Sequence, residues 1–308
     1  MTKKLPLKLL LKMAAKSLCK RQVIKTAKPL EPIDGKKSPL YIVSLTSYGK
    51  RLATDAPFAI ATLLNQSVKP DRVILWVANE DRGNVPKIME KLTEKGLEIR
   101  YCEDTRSYKK LIPSIENFPN DNIITADDDI FYPQNWLEQL LAEHRKSAGK
   151  IICHRAHGIK VDGNHNLLPY DDWVKCIEPN AQQSEMLFPT GVGGILYPFG
   201  SLSKDVTNKA LFTKLAPYAD DIWFWAMAAI NKEYFGNENP YIVVENSCTK
   251  TLFYVNILQQ LSGNALWNYN RSQGGNDKQL TAVINHYPQI KERLKKNHIV
   301  LCASTPST

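Results

Sequence analysis

Apolar residues along the chain fall into short runs set between polar turns. Leu40–Leu45 (LYIVSL), Arg72–Val77 (RVILWV), Leu97–Cys102 and Asn122–Ala126 (NIITA) read as strands. Near-continuous apolar runs of this length suit strands of a parallel sheet covered on both faces. Between them, Ala56–Gln66 places Phe58, Ile60, Leu63 and Leu64 at helical spacing and is stopped by Pro70. Lys87–Lys95 reads as a helix closed by Gly96, and Lys109–Glu116 as a short helix. Further on, Trp136–His144 and Asp220–Ile230 predict helices, and Ile151–His154 and Tyr241–Glu245 predict strands. Residues 160–200 are rich in Gly, Pro, Asn and Asp and carry no clear period. Alternating strands and helices with short connections predict an α/β fold, a mostly parallel sheet flanked by helices. Ligands are then expected at the carboxyl ends of the strands.

The first residues follow a different pattern. Lys4, Lys8, Lys12, Lys16 and Lys20 recur every fourth position, with Leu7, Leu10, Leu11, Ala14 and Leu18 between them. On a helix this gives one basic and one apolar side. Such a helix can lie on an anionic membrane surface or pack on the protein's own body. Pro29, Pro32, Gly35 and Pro39 then read as a linker. The predicted organisation is a basic amphipathic arm and linker over 1–38 and one folded domain over 39–300. That domain divides into two halves, about 39–145 and about 146–300.

Charge sharpens this division. Residues 1–38 hold 11 Lys/Arg against Glu31 and Asp34, so the whole net charge of +9 lies in the arm and the body is neutral. A nucleic-acid enzyme spreads positive charge along its groove, so no nucleic-acid partner is expected. With 308 residues, 43% hydrophobic and 23% charged, the chain is not disordered, collagen-like or a disulfide scaffold. No apolar run approaches the roughly 20 residues that cross a bilayer. Six scattered cysteines without a C-x-x-C fit a reducing compartment. With no secretory signal, the expected location is cytoplasmic, peripheral on the inner face of the cytoplasmic membrane through residues 1–28.

The most informative feature is Asp127-Asp128-Asp129, which directly follows the NIITA run. Three adjacent carboxylates repel one another, and nothing in local propensity requires them. A hard divalent cation, Mn²⁺ or Mg²⁺, would relieve the repulsion through oxygen ligands. On an extended segment alternate residues point the same way, so Asp127 and Asp129 would face one site and Asp128 another. The plain alternative is a solvated turn or helix cap.

Tyr41 to Leu141 resembles a nucleotide-sugar glycosyltransferase with the GT-A (Rossmann-like) fold, closest to the family 2-like bacterial enzymes. The resemblance rests on YIVSLTSYGKR, on Leu63-Leu64-Asn65-Gln66-Ser67 followed by Lys69-Pro70, and on a D-x-D match within IITADDDIFYP. It implies a metal site at Asp127 and Asp129, with Asp127 and Asp128 also on the donor. It implies nucleotide contacts from Thr46, a phosphate contact or a surface role for Arg51, and a base contact from Glu80 or Asp81. Lys110 resembles the basic residue that reaches donor phosphate or sugar, with Lys109 as its solvated neighbour.

Asp220-Asp221 opens the apolar segment IWFWAMAAI. Acids at a helix start are favoured by the helix dipole alone. Sugar transfer with inversion also needs a carboxylate to take the acceptor hydroxyl's proton. The resemblance carries that base role to Asp221 and a supporting role to Asp220. It also suggests acceptor contacts at Gly193 and Gly194 within Gly191-Val192-Gly193-Gly194, and stacking by Trp223, for which core packing is the alternative. Gln273–Asp277 reads as a lid or a surface loop, and His286 and His298 as structural or metal-completing histidines.

The function expected from these readings is metal-dependent sugar transfer. The sugar passes from a nucleotide-diphosphate donor to a glycan or lipid-linked acceptor, in lipopolysaccharide or capsule assembly. The alternatives are a nucleotidyltransferase or phosphotransferase, disfavoured because no G-x-x-x-x-G-K loop follows the first strand, and a non-catalytic, membrane-docked sugar-binding module.

Overall fold

Every central strand is buried on both faces, and the side chains divide with period two. In β1 (Tyr41–Ser47), Ile42 packs into one core while Val43 and Leu45 pack into another. In β2 (Arg72–Ala78), Ile74 and Trp76 join the first core and Val73, Leu75 and Val77 the second. Two apolar cores on opposite faces of one sheet follow directly. The computed structural model describes residues 24–32, 35–36, 38–164, 166–177, 186–236, 238–245, 247, 252–255 and 274–295.

Helix α1 (Arg51–Thr54) and helix α2 (Ala56–Leu64) follow β1, and α3 (Ile88–Thr93) leads to β3 (Leu97–Cys102). Helix α4 (Ile112–Asn117) leads to β4 (Asn122–Thr125), and a two-residue strand, β5 (Ile130–Phe131), precedes α5 (Trp136–Lys146). Then come β6 (Ile151–Cys153), β7 (Ala156–Gly158), β8 (Leu187–Pro189), β9 (Ile195–Tyr197), α6 (Lys209–Leu215) and α7 (Asp220–Ala229). The remaining elements are α8 (Lys232–Phe235), β10 (Tyr241–Val243), β11 (Phe253–Tyr254) and α9 (Gly275–His286). The main sheet has the order β10-β6-β9-β4-β1-β2-β3. All neighbours are parallel except β9, which runs antiparallel between β4 and β6. The α/β fold with a mostly parallel sheet flanked by helices is as expected.

The antiparallel strand β9 was not predicted. Its three residues lie in the stretch without period, and a strand that short shows no alternation. The turn before it is held by packing rather than by local signals. Gly194 has φ +91°, and a β-carbon there would meet the Trp136 indole at 2.5 Å. Trp136 Nε1 donates to the Gly193 carbonyl at 2.5 Å.

Residues 1–23 of the predicted arm lie outside the described residues. The described end of the arm and the first linker residues pack on the body. Ile24 and Ala27 are buried in the second core, and the Leu30 amide bonds to the Lys95 carbonyl at 3.0 Å. Ile24–Leu30 is therefore tied to the body, with Ala27 and Leu30 held at Lys95 and Gly96 ahead of β3. No helix among the described residues is long and apolar enough to cross a membrane.

Candidate active site

Because β9 is antiparallel to both β4 and β6, those two run the same way as β1. The chain segments after β1, β4 and β6 therefore emerge on one rim of the sheet. After β4 the backbone turns at once. Asp127 N donates to the Tyr132 hydroxyl at 2.7 Å, and Val255 N, next to β11, donates to the Asp129 carbonyl at 2.7 Å. This turn corrects the expected alternation. Asp128 and Asp129 share one cation and Asp127 faces another, because 127–129 are not extended.

The first cation is Arg51, presented by the start of α1. One of its terminal nitrogens bridges the Asp128 and Asp129 carboxylates, the latter at 2.8 Å. Ser47 Oγ, at the end of β1, donates to the other Asp128 oxygen at 2.6 Å. Burial pushes the Asp128 carboxyl up to about 7, with Arg51 opposing and the neighbouring Asp129 and Asp127 adding. Burial also raises Asp129, again against Arg51. Negative charge here exceeds what the arginine balances.

The second cation is Lys110. It ends the turn Arg106–Lys110, which leads into α4. That segment is anchored from both sides. Ser114 Oγ meets Ser44 Oγ at 2.7 Å and accepts from Trp76 Nε1 at 2.7 Å, and the Tyr108 hydroxyl donates to the Ala216 carbonyl at 2.6 Å. Lys110 Nζ lies 3.0 Å from Asp220 and 3.4 Å from Asp127. Burial works to lower its pKa, but Asp220, Asp127 and Asp221 outweigh burial and hold it well above the ordinary value. The two acidic motifs, 93 residues apart in sequence, thus meet at one ammonium group.

Asp221 stands at the start of α7, half-buried, and accepts from Gly191 N at 3.0 Å. Burial and then the neighbouring Asp220 push its carboxyl up to about 7, with Lys110 and the Gly191 amide opposing. A carboxylate of this kind can exchange a proton near neutral pH.

Other predicted residues have their partners outside the acidic cluster. Trp223 is fully buried and donates to the Val206 carbonyl at 2.9 Å, so it is a core residue and offers no face to a sugar. Lys109 is not solvated: its side chain is 3% exposed and paired with Asp104. The Thr46 hydroxyl donates to the Trp76 carbonyl at 2.8 Å, which ties β1 to β2. Glu80 is exposed, whereas Asp81 accepts from Gly49 N at 3.1 Å and steadies the turn after β1. Asp277 is not at the acidic cluster: it accepts from Tyr170 N at 2.7 Å at the start of α9. His286 is exposed in the last turn of α9, and Gln273 and His298 lie outside the described residues.

Within the glycine turn, Gly193 and Gly194 serve the Trp136 contact, and Gly191 is the one that meets the acids. A β-carbon at Gly191 would lie 2.8 Å from Lys110 Nζ and 3.1 Å from Asp221 Oδ1. The sequence signal was present in the Gly-x-Gly-Gly run, but not which glycine mattered. Gly191→Ala should leave the melting temperature within a few degrees, since the atoms displaced end flexible side chains. It should slow the reaction at this site by ~10-fold or more, as small misplacements of reacting groups do. Turnover and thermal unfolding of the variant check both halves.

No group of three or more His, Cys, Asp or Glu is arranged to hold a metal ion among the described residues. The donor set is nevertheless all oxygen and over-negative, and Mg²⁺-type ions commonly take one or two carboxylates plus substrate phosphates and water. Asp127 and Asp129 are the carboxylates that could supply two such ligands, but they face different cations, so Asp129 would have to exchange Arg51 for the ion.

No family model matches the chain, and no curated protein is significantly similar to it. Among solved structures, the mannosyltransferase PcManGT from Pyrobaculum calidifontis, in complex with GDP-Man and Mn²⁺, is 12% identical with a TM-score of 0.47, covering 96% of this chain and 85% of that one. The 4-diphosphocytidyl-2C-methyl-D-erythritol synthase from Anaerococcus prevotii is 15% identical with a TM-score of 0.44, covering 74% and 96%. The inositol-1-phosphate CTP transferase from T. maritima is 13% identical with a TM-score of 0.38, covering 68% and 86%. At these identities the likenesses are distant ones.

Proposed function

We propose that the protein is a glycosyltransferase of GT-A type, moving a sugar from a nucleotide-diphosphate donor to an acceptor hydroxyl. The observation that carries this reading is the meeting of Asp221, Asp220 and Asp127 at Lys110, on the rim where the acidic triplet emerges. One carboxylate tuned to about 7 beside a fixed cation supplies a base next to a place for a leaving anion. Asp221 takes the acceptor proton while the hydroxyl attacks the anomeric carbon from the face opposite the diphosphate, which inverts the centre. Asp220 holds Lys110 in place, and Lys110 faces the departing diphosphate. A divalent ion held by Asp127 and Asp129 would supply Lewis-acid stabilisation of that leaving group. Thr46, Glu80 and Asp81 line the β1 and β2 ends of the rim, where the nucleoside would lie.

The test is a panel of nucleotide sugars with Mn²⁺ or with EDTA, reading release of the nucleoside diphosphate. At least one donor should turn over with the ion and lose most of its rate without it. Asp129→Ala should abolish Mn²⁺-dependent nucleoside diphosphate binding in calorimetry while the circular dichroism spectrum is kept. Unchanged binding by that variant would remove the metal role.

The basic arm suits an acceptor on a lipid carrier, as in lipopolysaccharide or capsule assembly at the inner face of the cytoplasmic membrane. Because Ile24 and Ala27 are core residues, the truncation that tests the arm removes residues 1–22 only. It should keep turnover on a soluble acceptor and lose sedimentation with anionic vesicles. Added salt should weaken vesicle binding of the full chain. Equal vesicle binding by both proteins would sink the membrane reading.

A further inference from the structure

Arg51 and Lys110, the cations to which the sequence pointed, are already engaged by carboxylates. Arg155 is not. It follows β6 by two residues, on the same rim. Its side chain makes neither hydrogen bond nor ion pair among the described residues, and its Nε is buried without an acceptor. A buried N–H left without a partner is costly, so such a group calls for an anion.

A second unpartnered group stands beside it. Strands β7 and β8 pair antiparallel in the register Ala156↔Pro189, and Thr190 N donates to the Arg155 carbonyl at 3.1 Å as the next rung. Arg155 and Thr190 are therefore directly opposite one another, a placement that puts side chains on one face. Thr190 is 4% exposed, and its hydroxyl is buried without a partner. The next residue, Gly191, is the one whose amide holds Asp221. On the other side, Tyr254 pairs with Ile130 next to Asp129. The charge of Arg155 is felt at Tyr170 together with that of Asp221, and at Tyr254 together with those of Asp129 and Asp127. Arg155 thus shares a neighbour with each of the two acidic motifs.

We infer that Arg155, with the Thr190 hydroxyl beside it, is the oxyanion receptor of this site and binds the diphosphate of the donor. The inference rests on the transferase reading and deepens it. An arginine presents a planar fork of donors that matches phosphate oxygens in pairs, which a lysine cannot do. In this arrangement Lys110, held by the acids, faces the diphosphate from one side, and the guanidinium takes its oxygens in pairs.

The probe is inorganic pyrophosphate, which avoids any dependence on the base. Calorimetry on the full chain, with Mn²⁺ and with EDTA, should show Arg155→Gln binding at least ~10-fold more weakly in both. Arg155→Lys should recover part of the loss, and Thr190→Val should cost ~3-fold. Melting curves verify that the variants are folded. If Arg155→Gln does not fold, the wild-type protein still decides the matter: pyrophosphate should protect Arg155 from phenylglyoxal, read by mass spectrometry. Unchanged pyrophosphate affinity in a folded Arg155→Gln, or modification of Arg155 unaffected by saturating pyrophosphate, overturns the inference. Sugar transfer by the wild type alongside unchanged affinity in the variant would sink Arg155 alone. Weakened affinity in a protein that transfers sugar from no donor would sink the transferase reading and keep the receptor.

Discussion

Asp221→Asn should bind the donor as well as the parent protein and transfer sugar ~10²–10⁴-fold more slowly, the usual contribution of a positioned general base. Asparagine keeps the oxygen that accepts from Gly191 N, so the turn and the helix start are preserved. Asp220→Asn should cost less, because that carboxylate acts through Lys110. Only the ionised form of Asp221 accepts a proton, so kcat/KM should climb as pH rises through about 7 and then level off. The stability effect has the opposite sense. The folded protein holds the Asp221 proton up to about 7, whereas an unfolded aspartate releases it near the ordinary 3.8. Stability contributed by that proton is fully present below the unfolded value and is lost as pH rises through the folded one. Asp221→Asn should therefore be at least as stable as the parent at pH 8, with a gain in unfolding free energy of order 1 kcal/mol. Near-parental transfer by this variant would eliminate the base assignment. A clear loss of stability with transfer per folded molecule unchanged would reduce Asp221 to a helix cap.

Lys110→Met should be the most damaging single change to the site. It removes the one ammonium shared by Asp220 and Asp127 and felt by Asp221, and leaves buried negative charge uncompensated. Breaking a buried pair from one side costs about 3–5 kcal/mol. Methionine fills much the same space, so a cavity does not explain the loss. The remedy should be acid: lowering pH from 8 to 5.5 protonates Asp221, whose charge then needs no partner, and should recover part of the stability. Lys110 itself stays charged throughout that interval, since its pKa is raised. Urea unfolding at the two pH values measures the recovery. A loss of equal size at both would mean that packing, not charge, makes the lysine necessary.

The sequence disclosed what repeats or what is locally odd. The buried runs of β1, β2 and β4 stand out because parallel strands lack a polar face, and Asp127–Asp129 and Asp220-Asp221 stand out because adjacent acids are unfavourable without a reason. What it hid depends on tertiary neighbours. Lys109 and Lys110 are identical neighbours in sequence, but one reaches Asp104 and the other the acidic site. Trp223 reads as well for a sugar platform as for a core, and only its contact with Val206 decides. Gly191 gains its meaning from Lys110 and Asp221, each far away along the chain. Arg155 gives no sequence signal, since an arginine is notable there only for the partner that it lacks.

Strand β9 has a consequence for dissecting the protein. Among the described residues it is the strand that lies between β4 and β6, so it seams the first half of the chain to the second. A fragment ending near residue 145 would keep β1 to β4 but strip one flank of β4, whose residues Asn122–Thr125 are all buried in the intact protein. That flank would become a bare, apolar hydrogen-bonding edge, the kind that recruits other chains. Neither half is therefore autonomous, and exchanging the second half for that of a related chain requires the β9 seam to travel with its glycine turn.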